Sequence, residues 1–180
     1  MHLVSSTITL VLIFTTIYSY GLFILKLIYK NEKFDIFFSI LSGYVLIGSI
    51  TLIYHFFFKI SNNYSLFIIF FGLILFILNR KTLLEKEFFK IVFLILIFSF
   101  LLYAYSEHPI DTNMYHHPYV SYLNSEKIIF AIANIQFRFG HVSFLQYVQA
   151  ALKNNFLHEI SLASINIIFY SCFVYLFSKE

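Results

Sequence analysis

The chain has 180 residues, of which 60% are hydrophobic and only 12% are charged, and its formal net charge is +3. A water-soluble domain carries about 25% charged residues, so this composition excludes an ordinary soluble domain. The basic residues do not form a patch with interleaved aromatic residues, so nucleic acid is not an expected partner. The composition instead predicts an integral membrane protein whose principal partner is the lipid bilayer.

Apolar segments long enough to cross a membrane, or nearly so, recur along the chain. A hydrocarbon core of roughly 30 Å requires about 20 helical residues. In chain order the segments are Leu3–Leu25, Ile36–Phe58, Tyr64–Leu78, Phe88–Tyr105 and Ile160–Phe177. We therefore predict an all-α fold, a polytopic membrane helical bundle with about five transmembrane helices.

Individual segments carry features that fit this prediction. The first has no basic leader, unlike a cleaved signal peptide, so we expect it to stay in the mature chain. The second contains Gly43 and Gly48, small residues that allow close helix approach, and has His55 near one end. We expect His55, like His158 beside the last segment, to be a residue of the membrane interface rather than a ligand. Lys90, near the start of the fourth segment, can extend toward the headgroups.

The distribution of lysine and arginine predicts the orientation, because cytoplasmic loops retain positive charge. The loop after the first segment has Lys26, Lys30 and Lys33, and the loop after the third has Arg80, Lys81, Lys86 and Lys90. The loop after the second segment has only Lys59, and the N-terminus has no lysine or arginine. We predict a multi-pass protein of the cell membrane with its N-terminus outside. We predict three regions. Residues 1–105 contain four transmembrane helices, residues 106–159 form an outer loop with interfacial helices, and residues 160–180 form the final transmembrane helix.

The outer loop contains the longest polar stretch of the chain, Asp111–Pro118. Pro118 favours an extended His117 before a helix begins. Two interpretations of Asp111 stay open: it caps a turn or helix, or its carboxylate accepts a proton beside the phenol of Tyr115 and the imidazole of His116. No cofactor is evident. Adjacent His116 and His117 point apart and do not have zinc-ligand spacing, so the metal alternative is a divalent cation held by Asp111 and a substrate phosphate.

A second polar group follows in Asn134–His141, within the segment 128–152 that is too polar for a confident span. Apolar residues recur there at helical spacing, and Gly140 can bend the chain, so we predict an interfacial or re-entrant segment. Arg138 has two interpretations. It extends to the interface, or its guanidinium group binds a phosphate oxygen of a lipid-linked substrate or headgroup.

The order Asp111, Tyr115-His116, Pro118, Lys127–Asn134 and Arg138-Phe139-Gly140 resembles the first catalytic outer loop of membrane glycosyltransferases of the GT-C superfamily. More narrowly, it is similar to uncharacterised multi-pass proteins of bacterial surface-polysaccharide loci. The resemblance implies a lipid-phosphate-linked sugar, such as a polyprenyl-phosphate sugar, as donor. It also implies that Asp111 is a base or metal-binding acid.

By the same resemblance, the catalytic residues would be Asp111 and His116. Tyr115, His117, Arg138 and His141 would bind substrate, with Arg138 on the donor phosphate. Enzymes of this superfamily are commonly several hundred residues long, so we expect this chain to be the N-terminal portion of such an enzyme. The alternative is a non-catalytic multi-pass membrane protein, a structural or accessory subunit that binds a partner subunit through its outer loop.

Overall fold

The computed structural model describes residues 2–30, 34–83, 85–104, 116–129, 143–157 and 161–179. This part of the chain forms seven helices: α1 (His2–Tyr29), α2 (Ile36–Phe57), α3 (Asn62–Leu83), α4 (Lys86–Ala104), α5 (His117–Ser125), α6 (Phe144–Leu152) and α7 (Ser161–Phe177). The prediction of an all-α helical bundle is confirmed. Within the described residues, three stretches are long and apolar enough to cross a membrane, namely Val4–Tyr29, Ile36–Phe57 and Asn62–Lys81. The count of five transmembrane helices remains a prediction.

The bundle has the polarity expected of a protein surrounded by hydrocarbon. Large apolar side chains cover its exterior, whereas several hydroxyl side chains are buried inside. Several of these hydroxyls bond to a carbonyl one turn earlier in their own helix, at 2.6 Å for Ser19 and Thr51 and at 2.8 Å for Ser171. A helix satisfies these hydroxyls internally, so they can be buried without water.

Helix α1 is the centre of the bundle and packs against α2, α3, α4 and α7. Its closest approach is to α2, where Gly21 and Gly43 face each other across the helix contact. A Cβ atom at Gly21 would overlap the carbonyl oxygen of Ser39, and one at Gly43 would overlap the carbonyl oxygen of Ile17. Small residues bring backbones close together in membrane helices, where van der Waals packing replaces the hydrophobic effect.

Ion pairs between side chains connect the helices at one end of the bundle, which we call the Lys179 end. The Lys179 ammonium lies 2.9 Å from the Glu87 carboxylate at the start of α4 and 3.6 Å from the Asp35 carboxylate at the start of α2. Asp35 also caps α2, because its carboxylate accepts a 2.8 Å hydrogen bond from the Phe37 amide. These contacts place the starts of α2 and α4 beside the end of α7, as an up-and-down bundle requires.

The opposite end, which we call the α5 end, holds the end of α2, the start of α3 and helix α5. The Ile60 amide donates to the Leu123 carbonyl of α5 at 3.1 Å. Helix α6 begins near the middle of α2, because the Phe144 ring contacts Gly48 and lies 5.9 Å from the Tyr44 ring. Just after α6, the Asn155 amide reaches Asn62 at the start of α3, at 3.0 Å.

Helix α6 therefore covers only half the depth of the bundle and lies among other helices. Every residue from Gln146 to Leu152 is buried. It packs against α2, α3, α5 and α7. This placement favours the re-entrant alternative over the interfacial one for this part of the chain.

The α1–α2 contact gives a direct stability prediction. Gly43→Ala inserts a methyl group where the Ile17 carbonyl lies, and overpacking of this kind costs about 1–3 kcal/mol. We expect a lower unfolding midpoint for the purified protein in detergent micelles. Val45→Ala, at an exposed position on the same helix, is the control and should leave the midpoint nearly unchanged. An unaltered midpoint for Gly43→Ala would contradict the close approach.

Candidate functional site

A group of buried polar side chains lies at the α5 end, around His55 near the end of α2. His55 is fully buried and both ring nitrogens are used. Nε2 lies 2.9 Å from the Glu126 carbonyl oxygen, and Nδ1 lies 3.1 Å from the Tyr147 hydroxyl of α6. His55 therefore joins α2, α6 and the residues that follow α5. Its predicted position at the membrane interface stays a prediction.

The two partners of His55 determine its tautomer. A backbone carbonyl only accepts, so Nε2 carries the proton and donates to Glu126. Nδ1 of the neutral ring then accepts from the Tyr147 hydroxyl. A tyrosine phenol is protonated at neutral pH, so Tyr147 can donate this hydrogen bond.

Tyr122 of α5 organises the chain that receives His55. Its hydroxyl donates to the Lys127 carbonyl at 3.1 Å and accepts from the Ile129 amide at 3.0 Å. The turn of residues 126–129 is therefore held on one side by Tyr122 and on the other by His55. The bundle therefore fixes the point from which the following segment starts. In the sequence that segment leads toward Arg138.

Asn124 connects α5 to two other elements. Its amide nitrogen donates to the Ile60 carbonyl at 2.8 Å and to the Ala150 carbonyl of α6 at 3.1 Å. Its Oδ1 atom is buried and has no hydrogen-bond partner in the described part of the chain. A second polar contact lies beside this one, where the Thr51 and Tyr64 hydroxyls are 2.9 Å apart and Tyr64 stacks on Tyr54.

Helices α5 and α6 also meet through His116 and Gln146. His116 immediately precedes α5 and is exposed, whereas Gln146 lies in the first turn of α6 and is buried. The Gln146 amide nitrogen donates to His116 Nδ1 at 3.2 Å. Near the other end of α6, the Lys153 ammonium lies 3.3 Å from the Ser121 hydroxyl. An exposed imidazole thus borders a buried amide at the start of a half-depth helix.

The residues predicted to form the site divide into two groups. His116 and His117 are described, both are exposed, and they stand at the start of α5 with Pro118 in its first turn. Asp111, Tyr115, Arg138 and His141 lie outside the described residues, as does His158. Their predicted roles therefore stay predictions.

Sequence reasoning missed the polar residues of α6, Gln146, Tyr147 and Gln149, and the connecting Asn124. All three residues of α6 are buried. The available signal was the short spacing of Gln146 and Gln149, which places both within one turn of a helix whose other residues are mainly apolar. Asn124 gave no local signal, because its partners are far away in the chain.

The contacts at this end are made mainly by neutral hydrogen-bonding groups, together with the Lys153 ammonium. Amides, imidazoles and phenols suit sugar hydroxyls or phosphate oxygens. Across the described residues there is no group of three or more metal-binding side chains.

The His55 connection gives a second prediction. Tyr147→Phe removes the hydroxyl and leaves Nδ1 of His55 buried without its donor, a change that costs about 1–3 kcal/mol. We expect a lower unfolding midpoint in detergent micelles. Tyr29→Phe, at a half-exposed position, is the matched control and should change little. Equal midpoints for the two variants would show that the contact with His55 does not stabilise the bundle.

Comparison with known proteins places almost the whole chain in one family. A family model described as a domain of unknown function (DUF8201) matches residues 3–180. No curated protein and no solved structure matches the chain. The chain therefore belongs to the DUF8201 family, and apart from His2 its helices α1 to α7 fall within the matched region.

Proposed function

We propose that this chain is the N-terminal portion of a membrane-embedded enzyme that transfers a sugar from a lipid-phosphate-linked donor at the outer face of the cell membrane. In this proposal α1, α2, α3, α4 and α7 cross the membrane and the α5 end faces outward. The donor is a polyprenyl-phosphate sugar.

The 3.2 Å contact between His116 and Gln146 is the observation that carries this proposal. It joins the first residues of α5 and α6, which lie 30 positions apart in the chain. Asp111 and Tyr115 lie within the five residues before His116, and Arg138 and His141 lie within the five residues before Ser143. The contact thus supports a single site to which both polar groups of the sequence contribute.

Placement of α6 supports the binding of an anion in the same region. Its first residues lie at mid-depth in the bundle and its Ser143 N-cap makes no side-chain capping bond. The amide groups at the start of a helix carry a partial positive charge, which is effective where water is scarce. A donor phosphate approached by these amides and by the Arg138 guanidinium would have both charge and directed hydrogen bonds.

The proposed reaction is a substitution at the anomeric carbon of the sugar. An acceptor hydroxyl oxygen forms the new bond to that carbon while the bond to the phosphate oxygen breaks. The hydroxyl proton passes to Asp111, and the lipid phosphate leaves with the bonding electron pair. Arg138 stabilises the charge on the departing phosphate. His116 acts beside Asp111 as the second catalytic residue, and the substrate is contacted by Tyr115, His117 and His141.

Binding and transfer can be tested separately in the complete native protein. For binding, polyprenyl phosphate should raise the unfolding temperature of the purified protein, whereas the matched polyprenol, which lacks the phosphate, should not. Arg138→Ala should abolish the difference between the two lipids. Arg80→Ala, which removes an exposed arginine at the other end of α3, should preserve it.

For transfer, Asp111→Asn should lower production of the surface polysaccharide in cells by about 100-fold or more, the usual effect of losing a general base. The same variant should keep its response to polyprenyl phosphate. Asp35→Asn, at the Lys179 end, is the matched carboxylate control and should remain active. Full activity of Asp111→Asn, or equal responses to polyprenyl phosphate and polyprenol, would overturn the proposal.

A second candidate is a non-catalytic membrane subunit. It is favoured by the observation that His55, Tyr147 and Asn124 bond to other parts of the bundle and so stabilise it. In that case Asp111→Asn would leave both polysaccharide production and lipid binding unchanged.

Orientation can be tested with single cysteines in a Cys172→Ser background. Phe156, between α6 and α7, is 80% exposed, and Lys30, just after α1, is exposed at the opposite end. We expect a membrane-impermeant maleimide to label Phe156→Cys in intact cells and Lys30→Cys only after lysis. The reverse pattern would place the α5 end inside the cell and remove the lipid-linked donor from its reach.

A further inference from the structure

Helix α7 has a face that the described residues leave exposed, with the spacing of a helix-pairing seam. Asn166, Tyr170, Phe173 and Phe177 follow one another at intervals of four, three and four residues. This spacing places them on one narrow stripe of the helix, as in the contact seam of a coiled coil. All four are exposed, with the three aromatic side chains between 53% and 66% accessible.

Asn166 is the unusual member of this seam. It is exposed near the middle of the bundle, one turn from Phe169, whose ring packs on Tyr44 at 5.3 Å. Its side chain makes no hydrogen bond to any other residue that the structure describes. The other exposed polar side chains described in the long helices lie near helix ends, where water or headgroups reach them: Ser5, Asn63, Arg80, Lys81, Lys86 and Lys90.

A groove of about 470 Å³ surrounds Asn166 and is otherwise lined by Phe37 of α2 and by Phe169, Tyr170 and Phe173 of α7. An amide that faces hydrocarbon loses the hydrogen bonds it would make with water. Polar side chains in membrane helices recover these bonds by pairing across a helix contact. The groove can therefore accept a helix that offers a hydrogen-bonding group at the depth of Asn166.

We propose that a second copy of this chain occupies this groove, and that the two α7 helices pair along the seam with Asn166 against Asn166. An amide both donates and accepts, so it is its own complement. Two copies inserted with the same orientation have parallel α7 helices at equal depth, which brings identical residues face to face. A single asparagine in a seam of this kind fixes the register of a parallel pair. The proposal rests on the membrane placement given above and is independent of sugar transfer.

Helix α3 provides an internal control, because it has a similar exposed stripe in a different setting. Asn63, Phe67 and Phe70 share the spacing of Asn166, Tyr170 and Phe173, and they line a groove of about 450 Å³ with Leu66. Asn63, however, is the second residue of α3 and lies at the end of the bundle. Its amide can reach headgroups or water, so the α3 stripe has no polar group that requires a partner helix.

The first experiment uses disulfide formation in native membranes, with Cys172→Ser in every variant. Tyr170→Cys should form a disulfide-linked dimer on mild oxidation, because equivalent seam residues of parallel helices lie within the Cα separation that a disulfide allows. Phe67→Cys should stay monomeric. Adding Asn166→Leu to Tyr170→Cys should remove most of the dimer, and Asn166→Gln should retain part of it.

The second experiment measures the monomer–dimer equilibrium in lipid vesicles by energy transfer between labelled copies. Asn166→Leu should weaken association by about 5- to 30-fold, the range expected for an interhelical hydrogen bond in a membrane. Asn63→Leu should leave association unchanged. Three outcomes would overturn the proposal: a monomer at all protein-to-lipid ratios, equal association of the Asn166→Leu variant, or cross-linking of Tyr170→Cys to a different polypeptide. A dimer with no sugar transfer would support this proposal while contradicting the proposed function.

Discussion

The structure depends on satisfying the hydrogen bonds of polar groups inside the bundle, because the surrounding hydrocarbon offers none. Hydroxyl side chains in α1, α2 and α7 bond to carbonyls of their own helices. Once they are satisfied in this way, helices can approach closely through small residues, as α1 and α2 do at Gly21 and Gly43. The apolar side chains are left to face outward. The same constraint makes the exposed amide of Asn166 notable, because it is not satisfied within the described bundle.

Helix α6 shows how this constraint positions a site. A half-depth helix has unpaired amides at its start and can exist inside a bundle only where neighbouring groups or a ligand satisfy them. Tyr147 ties it to His55, Gln146 ties it to His116, and its Ala150 carbonyl accepts from Asn124. These bonds hold the α6 start at mid-depth, so a polar substrate would meet a preformed arrangement.

Local sequence was sufficient to predict the long helices, because hydrophobic length is a property of contiguous residues. The helices α1 to α4 and α7 cover the predicted apolar segments, although α3 starts earlier and ends later than Tyr64–Leu78. It was not sufficient for α6, whose burial depends on Gly48 and His55, distant residues that no local pattern connects to Phe144 and Tyr147. His55 was predicted to lie at the membrane interface, and its hydrogen-bond partners, which are distant in the chain, gave no local signal.

The two ends of the bundle are joined by different chemistry, and this difference bears on the site. At the Lys179 end, the hydrogen bond to Glu87 raises the pKa of Lys179, and its ion pairs lie where water can reach them. At the α5 end, the buried contacts of His55, Tyr147 and Asn124 join neutral groups, which need no counterion in a region of low dielectric. These neutral groups can orient an anionic phosphate but cannot neutralise it. In the proposed function the positive charge beside the phosphate comes from the start of α6 and from Arg138, because Lys153, the ammonium group described on α6, lies near the other end of that helix.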